Sequence, residues 1–155
     1  AACSSATRGL FGGGFSTNYT NAIDYVTIAS AGNAVSFGQL TVARGYLSAC
    51  ASSTRGVFGG GETTATSAVN VIDYVTISSI GNATSFGALA GTLRYSAACS
   101  NSTRGLFGGG STGVISSAIT YITIDTTGNS ISFGNLTVAR TYPAACSSST
   151  PAVQA

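Results

Sequence analysis

The sequence predicts an all-β protein made of three four-stranded antiparallel sheets followed by a spare first strand. Three observations predict it. One segment of the chain recurs three times in register. Each copy holds four short runs rich in β-branched, aromatic and small residues, separated by glycine and asparagine. No window shows the 3.6-residue apolar period of an amphipathic helix.

The repeat is plainest at Thr7-Arg8-Gly9-Leu10-Phe11-Gly12-Gly13-Gly14, which returns at Thr54 and again at Thr103, offsets of 47 and 49 residues. Four aromatic columns follow it: Phe11/Phe58/Phe107, Tyr25/Tyr74/Tyr121, Phe37/Phe86/Phe133 and Tyr46/Tyr95/Tyr142. The cysteines make a fifth column, Cys3, Cys50, Cys99 and Cys146. The step from the second aromatic column to the third is always 12 residues, and from the third to the fourth always 9. From the first to the second it is 14, 16 and 14. The one length change therefore falls just after the glycine run, as expected of a surface loop.

In the second copy the strands are expected at 46–50, 55–59, 71–77 and 84–89. The first surrounds Cys50 and is built of small residues. The second ends in the glycine run. The third, around Tyr74, is the most strongly β-forming. Gly81-Asn82, like Gly32-Asn33 and Gly128-Asn129, marks the turn into the fourth strand, which centres on Phe86. The repeats span about 1–47, 48–96 and 97–143, with a partial repeat at 144–150 in a single repeat domain of residues 1–150, and a tail at 151–155. Pro151 stands where Arg8, Arg55 and Arg104 stand in the full copies, and a proline there ends strand pairing.

In the third strand both faces are apolar: Ile72 and Tyr74 on one, Val71, Val75 and Ile77 on the other. A sheet apolar on both faces must be covered on both faces. Neighbouring copies can do this by stacking, with the small-residue first strands crowded at the centre, which describes the blades of a β-propeller. Three blades do not close the ordinary ring of four to eight. Two chains forming a six-bladed ring, a head-to-tail fibre joined through the spare strand, and a longer array all satisfy the pattern. So does a closed threefold fold, a β-trefoil or β-prism.

The order Arg, small-residue strand, aliphatic-Phe-Gly-Gly-Gly, loop, Asp-Tyr strand, turn and aromatic strand resembles the kelch motif. Its double glycine corresponds to Gly12-Gly13, Gly59-Gly60 and Gly108-Gly109, and its following aromatic to Tyr25, Tyr74 and Tyr121. Phe37, Phe86 and Phe133 replace its fourth-strand tryptophan. The style of the repeat is also similar to arrays in virion structural proteins of marine and cyanobacterial phages. That resemblance implies a virion appendage or surface role, and an extracellular or virion location.

Composition narrows the chemistry. The chain has no histidine, methionine, tryptophan or lysine, and only six arginines and four acids among 155 residues. Histidine-based acid–base catalysis and histidine metal ligation are excluded. A net charge of +2 is too weak a field to gather phosphates, so nucleic acid is not an expected partner. No apolar run reaches the ~18 residues of a membrane span. The reading is a non-enzyme without cofactor.

The candidate residues are mostly architectural. The glycine runs lack the Lys-Ser/Thr of a phosphate loop, so they are expected to supply positive φ or close approach between blades. Equivalent cysteines on stacked sheets lie ~10 Å apart, too far for disulfides, so free buried thiols are expected. Arg8, Arg55 and Arg104 suit fixed bonding to carboxylates or carbonyls. Arg44 and Arg140 lie two residues before their tyrosines, whereas Arg94 lies one before, a slip that a bulge or turn at Gly91 would absorb. Asp24 and Asp73 share a column in which the third copy has Thr120. Phe15, Tyr19 and Glu62 sit after the glycine runs, in loops expected at 15–21, 62–70 and 111–117. Exposed, they form a possible recognition loop, and Tyr19, outside the repeat columns, is expected to add little stability. The functional expectation is a self-associating structural protein of an extracellular assembly, forming a homo-oligomer or filament with other virion proteins as further partners. A lectin-like module binding surface glycans is the alternative.

Overall fold

The computed structural model describes residues 1–63 and 67–147. It contains twelve strands in three sheets, and no helix among the described residues. The first sheet holds β1 (Ala2–Ser4), β2 (Arg8–Phe15), β3 (Tyr19–Thr27) and β4 (Val35–Gln39). The second holds β5 (Ser48–Ala51), β6 (Arg55–Gly59), β7 (Val71–Thr76) and β8 (Thr84–Ala88). The third holds β9 (Ala97–Ser100), β10 (Arg104–Gly108), β11 (Ala118–Thr123) and β12 (Ile131–Asn135). Within each sheet the strands pair antiparallel in chain order. These are blades in a propeller-like stack.

The expected strands of the three blades lie where the sequence places them, with two differences, while the described part of the expected spare strand, residues 144–147, forms no strand. The first strands of the second and third blades begin after Tyr46 and Tyr95, which take φ of 54° and 59°, as Tyr142 does at 54°. That left-handed backbone cannot continue an extended strand. In the first blade the expected loop at 15–21 is mostly ladder. A bulge between Gly12 and Gly14 lets β2 and β3 go on pairing, with Gly14 opposite Thr20 and Phe15 opposite Tyr19.

The sheets stack face to face in series. One core lies between the first two sheets, made by Leu10, Ile23, Phe37, Leu40, Phe58 and Val75. A second, made by Val57, Ile72, Phe86, Phe107 and Ile122 among others, joins the last two. The glycine run makes this possible. A Cβ at Gly12 would lie 2.6 Å from the Phe58 ring, and one at Gly59 2.6 Å from the Phe107 ring. Only glycine admits the neighbouring blade so closely. The first-strand edges also meet: Ser48 Oγ lies 2.9 Å from Ser96 Oγ, and Ser100 Oγ donates to Ala51 O (2.7 Å).

The series stays open. The outward face of the first sheet exposes Phe11, and that of the third exposes Ile131 and Phe133, each more than half accessible. One core joins the first sheet to the second and another the second to the third, and among the described residues none joins the third to the first, so the chain does not form the closed threefold arrangement of the trefoil or prism alternative. Residues 144–147 form no ladder with the rest of the chain. Residues 148–155, with Pro151 and the expected tail, lie outside the described residues, as do 64–66 within the expected 62–70 loop.

Candidate assembly interface

Each internal joint is built from the same parts. A phenylalanine from the second strand seats on the glycine of the preceding blade. The Arg column bridges in the opposite direction. Arg8 Nη1 donates to Ile77 O (2.8 Å) and Arg55 Nη1 to Ile124 O (3.0 Å), each one blade ahead. Their guanidiniums lie over Tyr25 and Tyr74, 4.7 and 4.6 Å from the ring centres. The Gly-Asn turns dock on the preceding fourth strand. Gly81 N donates to Phe37 O and Gly128 N to Phe86 O, while Asn82 and Asn129 accept from Gln39 N and Ala88 N. Tyr95 N donates to Tyr46 O (3.0 Å), and Tyr142 N to Tyr95 O (2.9 Å), so the tyrosine column forms a backbone rail across the stack. That rail requires the left-handed φ of these residues, which no glycine signals in the sequence.

One part differs between the joints. At the first, Arg44 Nη1 lies 2.7 Å from Asp73 Oδ2, with both side chains fully buried. Thr41 adds its hydroxyl (2.6 Å) and its amide (3.3 Å) to the same carboxylate. Arg44 Nη2 also donates to Phe58 O (3.3 Å). A buried ion pair needs such extra bonds to offset desolvation. At the second joint the backbone position of Arg44 belongs to Leu93, since Gly61 N donates to Leu93 O as Gly14 N does to Arg44 O. Facing it is Thr120, and Ala90 replaces Thr41. The acid, base and hydroxyl are thus replaced together. They leave a cavity of about 100 Å3 beside Thr120, whose hydroxyl lacks a hydrogen-bond partner.

The outward faces carry the counterparts of the residues on the two sides of the first joint. The third sheet presents Thr137 and Arg140 where the first presents Thr41 and Arg44, and Gly110 N donates to Arg140 O (2.8 Å) in the same backbone bond. Arg104, over Tyr121 at 5.0 Å, is exposed. A Cβ at Gly108 would meet only Ile119 (3.5 Å). Beside it lies an apolar cavity of about 180 Å3, lined by Leu106, Gly108, Ile119, Phe133, Leu136 and Pro143. These are the counterparts of the residues that hold Phe58 at the first joint. The opposite face presents exposed Phe11, and exposed Asp24 in the column of Asp73.

The expected recognition residues form a cluster on one rim, and two of the three are not free to act as a loop. Glu62 is buried, not exposed, accepting from the Tyr19 hydroxyl and the Arg94 guanidinium, with Tyr95 Oη at 3.3 Å. Burial alone would raise its carboxyl pKa, but these donors outweigh it and hold the group below its usual range. The same contact pushes the Tyr19 hydroxyl up to about 12. The slipped Arg94 thus has a different partner from Arg44, and Tyr19 ties three segments together. These contacts are ones that its place outside the repeat columns did not announce. Phe15, exposed, packs edge-on against Tyr19 (5.2 Å between centroids). The rings continue through Tyr46 and Tyr95 to Tyr142, at 6.3, 4.8 and 4.5 Å.

All four cysteines are free thiols. Burial pushes the Cys3 pKa up to about 12 and raises that of Cys50 further, so both stay protonated. Cys3 Sγ lies 3.0 Å, and Cys50 Sγ 2.5 Å, from where a Cβ on Gly56 and Gly105 would stand. They are packing groups of the joints. Cys99 is half-buried, and Cys146 is exposed, against the buried thiol expected there. No helix among the described residues is long and apolar enough to cross a membrane. No protein-family model and no curated protein matches the chain.

Proposed function

We propose that this chain is a non-enzymatic structural protein that works by head-to-tail self-association of its kelch-like blades. The observation that carries this reading is the pattern at the acid–base column. The joint with Thr41 and Arg44 faces Asp73, and the joint with Ala90 and Leu93 faces Thr120. The outward third sheet carries Thr137 and Arg140, the set that faces an acid, and the outward first sheet carries Asp24. The apolar parts agree, since Phe11 is exposed and the phenylalanine seat at Gly108 is empty. Such a heterologous contact gives a ring if the rotation closes and a filament if it does not. An extracellular or virion appendage is the setting implied by the resemblance of the repeats to phage virion arrays. Light scattering with negative-stain imaging of the purified chain tests the reading. Rings or filaments are expected, and a monomer at all concentrations contradicts it.

One observation favours a second reading, an attachment module for surface glycans. The rim holds five aromatic rings in line, with Phe15 and Tyr142 exposed at its ends. Sugar rings pack on such faces. A thermal shift on adding soluble glycans, lost in Phe15→Ala, supports it, and no shift with any glycan removes it.

A further inference from the structure

The segment 144–150 reads Ala-Ala-Cys-Ser-Ser-Ser-Thr, and residues 1–7 read Ala-Ala-Cys-Ser-Ser-Ala-Thr, identical at six of seven positions. Within the chain the earlier segment forms β1, the inner edge of the first sheet. There Ala2 pairs with Phe11, Cys3 with Leu10 and Ser4 with Gly9.

The later segment already lies in the row of inner edges. One cavity, of about 190 Å3, is lined by corresponding triplets from four successive places: Ala2 to Ser4, Ala49 to Ala51, Ala98 to Ser100 and Ala145 to Ser147. Ala144 and Ala145 also border the phenylalanine seat beside Gly108. Residues 145–147 therefore stand where the inner strand of a fourth blade belongs, yet no ladder partner in the chain pairs with them.

This creates a conflict at the head-to-tail joint. A second copy docking its first sheet in the register of the internal joints would bring its own β1 into the place that 145–147 fills. Two strands of nearly the same sequence compete for one edge of β2.

We propose that the competition is resolved by strand exchange: residues 145–147 of one copy pair with β2 of the next and displace that copy's β1. Ala145 then faces Phe11, Cys146 faces Leu10 and Ser147 faces Gly9 of the second copy. The exchanged strand carries the same three side chains, so the ladder and its packing are kept. Exchange of an identical element between copies is a low-cost route to assembly. Backbone bonds along an open edge add affinity that side-chain contacts at the blade face do not supply. The proposal rests on the self-association reading and specifies its connector.

Disulfide trapping tests it. Ser4 and Gly9 form a non-hydrogen-bonded pair, since the hydrogen-bonded pair Ala1–Gly12 sets the alternation. In such a pair the Cα atoms are ~4.5 Å apart, within disulfide reach. One variant carries Cys146→Ser with Ser147→Cys, and a second carries Gly9→Cys. Both changes lie at accessible positions, and circular dichroism checks that each variant folds. Mixed and oxidised, the two are expected to give a covalent dimer whose bond maps to positions 147 and 9 by peptide mass spectrometry. A chain carrying both Ser4→Cys and Gly9→Cys is the control. If the mixed variants assemble without cross-linking while the control closes its bond within one chain in the assembly, strand exchange is overturned and self-association stands. If native mass shows only monomers, both fall together.

Discussion

Arg44, in the segment that follows β4, and Asp73 on β7, 29 residues apart, form a fully buried ion pair at 2.7 Å. Leu93 and Thr120 hold the corresponding places one blade further on. The chain thus contains both a charged and an uncharged solution to one packing problem. Breaking the charged version by Arg44→Ala or Asp73→Ala is expected to cost about 3–5 kcal/mol, since either leaves one buried charge alone. Changing Thr41→Ala, Arg44→Leu and Asp73→Thr together copies the second joint and is expected to recover most of that loss. Urea unfolding of the single and triple variants measures both.

The two ends of the glycine column should respond differently. Gly12→Val forces a side chain into the Phe58 ring and is expected to destabilise the fold by about 1–3 kcal/mol. Gly108→Val makes only an ordinary contact with Ile119 within one chain and should leave the unfolding midpoint of the monomer unchanged. It also fills the seat offered to a second copy, so it should abolish association. Thermal unfolding and native mass, measured on the same samples, separate these effects.

Phenylalanines of one column should likewise divide by position. Phe58→Ala empties a filled core site and is expected to cost about 3–5 kcal/mol. Phe11→Ala removes an exposed ring, so chain stability should hardly change while assembly weakens. Equal losses of stability at the two sites would contradict the open-ended stack.

Acid should loosen the rim. The Glu62 carboxyl pKa is lower in the folded chain than in the unfolded one, where it is about 4.3. Its contribution is therefore present above that value and is lost as pH falls through the folded-state pKa. Tyr19→Phe removes a donor to the ionised carboxylate and should move the loss to higher pH. Glu62→Gln should flatten the dependence. Stability measured by urea unfolding between pH 2 and pH 6 reads both changes.

The blades were legible in the sequence because their causes are periodic. Alternating apolar residues, the glycine run and the Gly-Asn turns recur at fixed steps, and β6 spans the expected 55–59. The fixed bonding expected of Arg8 and Arg55 is to backbone carbonyls one blade ahead, a partner that repeat spacing alone does not name. The rim was less legible. Tyr19, Glu62 and Arg94 meet through residues that break the repeat, and no spacing rule joins positions 43 and 32 residues apart. The tyrosine rail was hidden for another reason. Left-handed φ is ordinarily announced by glycine, and here tyrosine adopts it because a blade-to-blade hydrogen bond holds it there.

Charge reversal at the outward faces tests the central claim most directly. Sedimentation or light scattering would compare the native chain, Asp24→Arg, Arg140→Asp, and the chain carrying both. The account predicts that the native chain associates, that each single reversal sets like charges against each other and leaves monomers, and that the double reversal restores assembly. Single reversals that associate as well as the native chain, or a double reversal that stays monomeric while the native chain assembles, would contradict the pairing of Arg140 with Asp24.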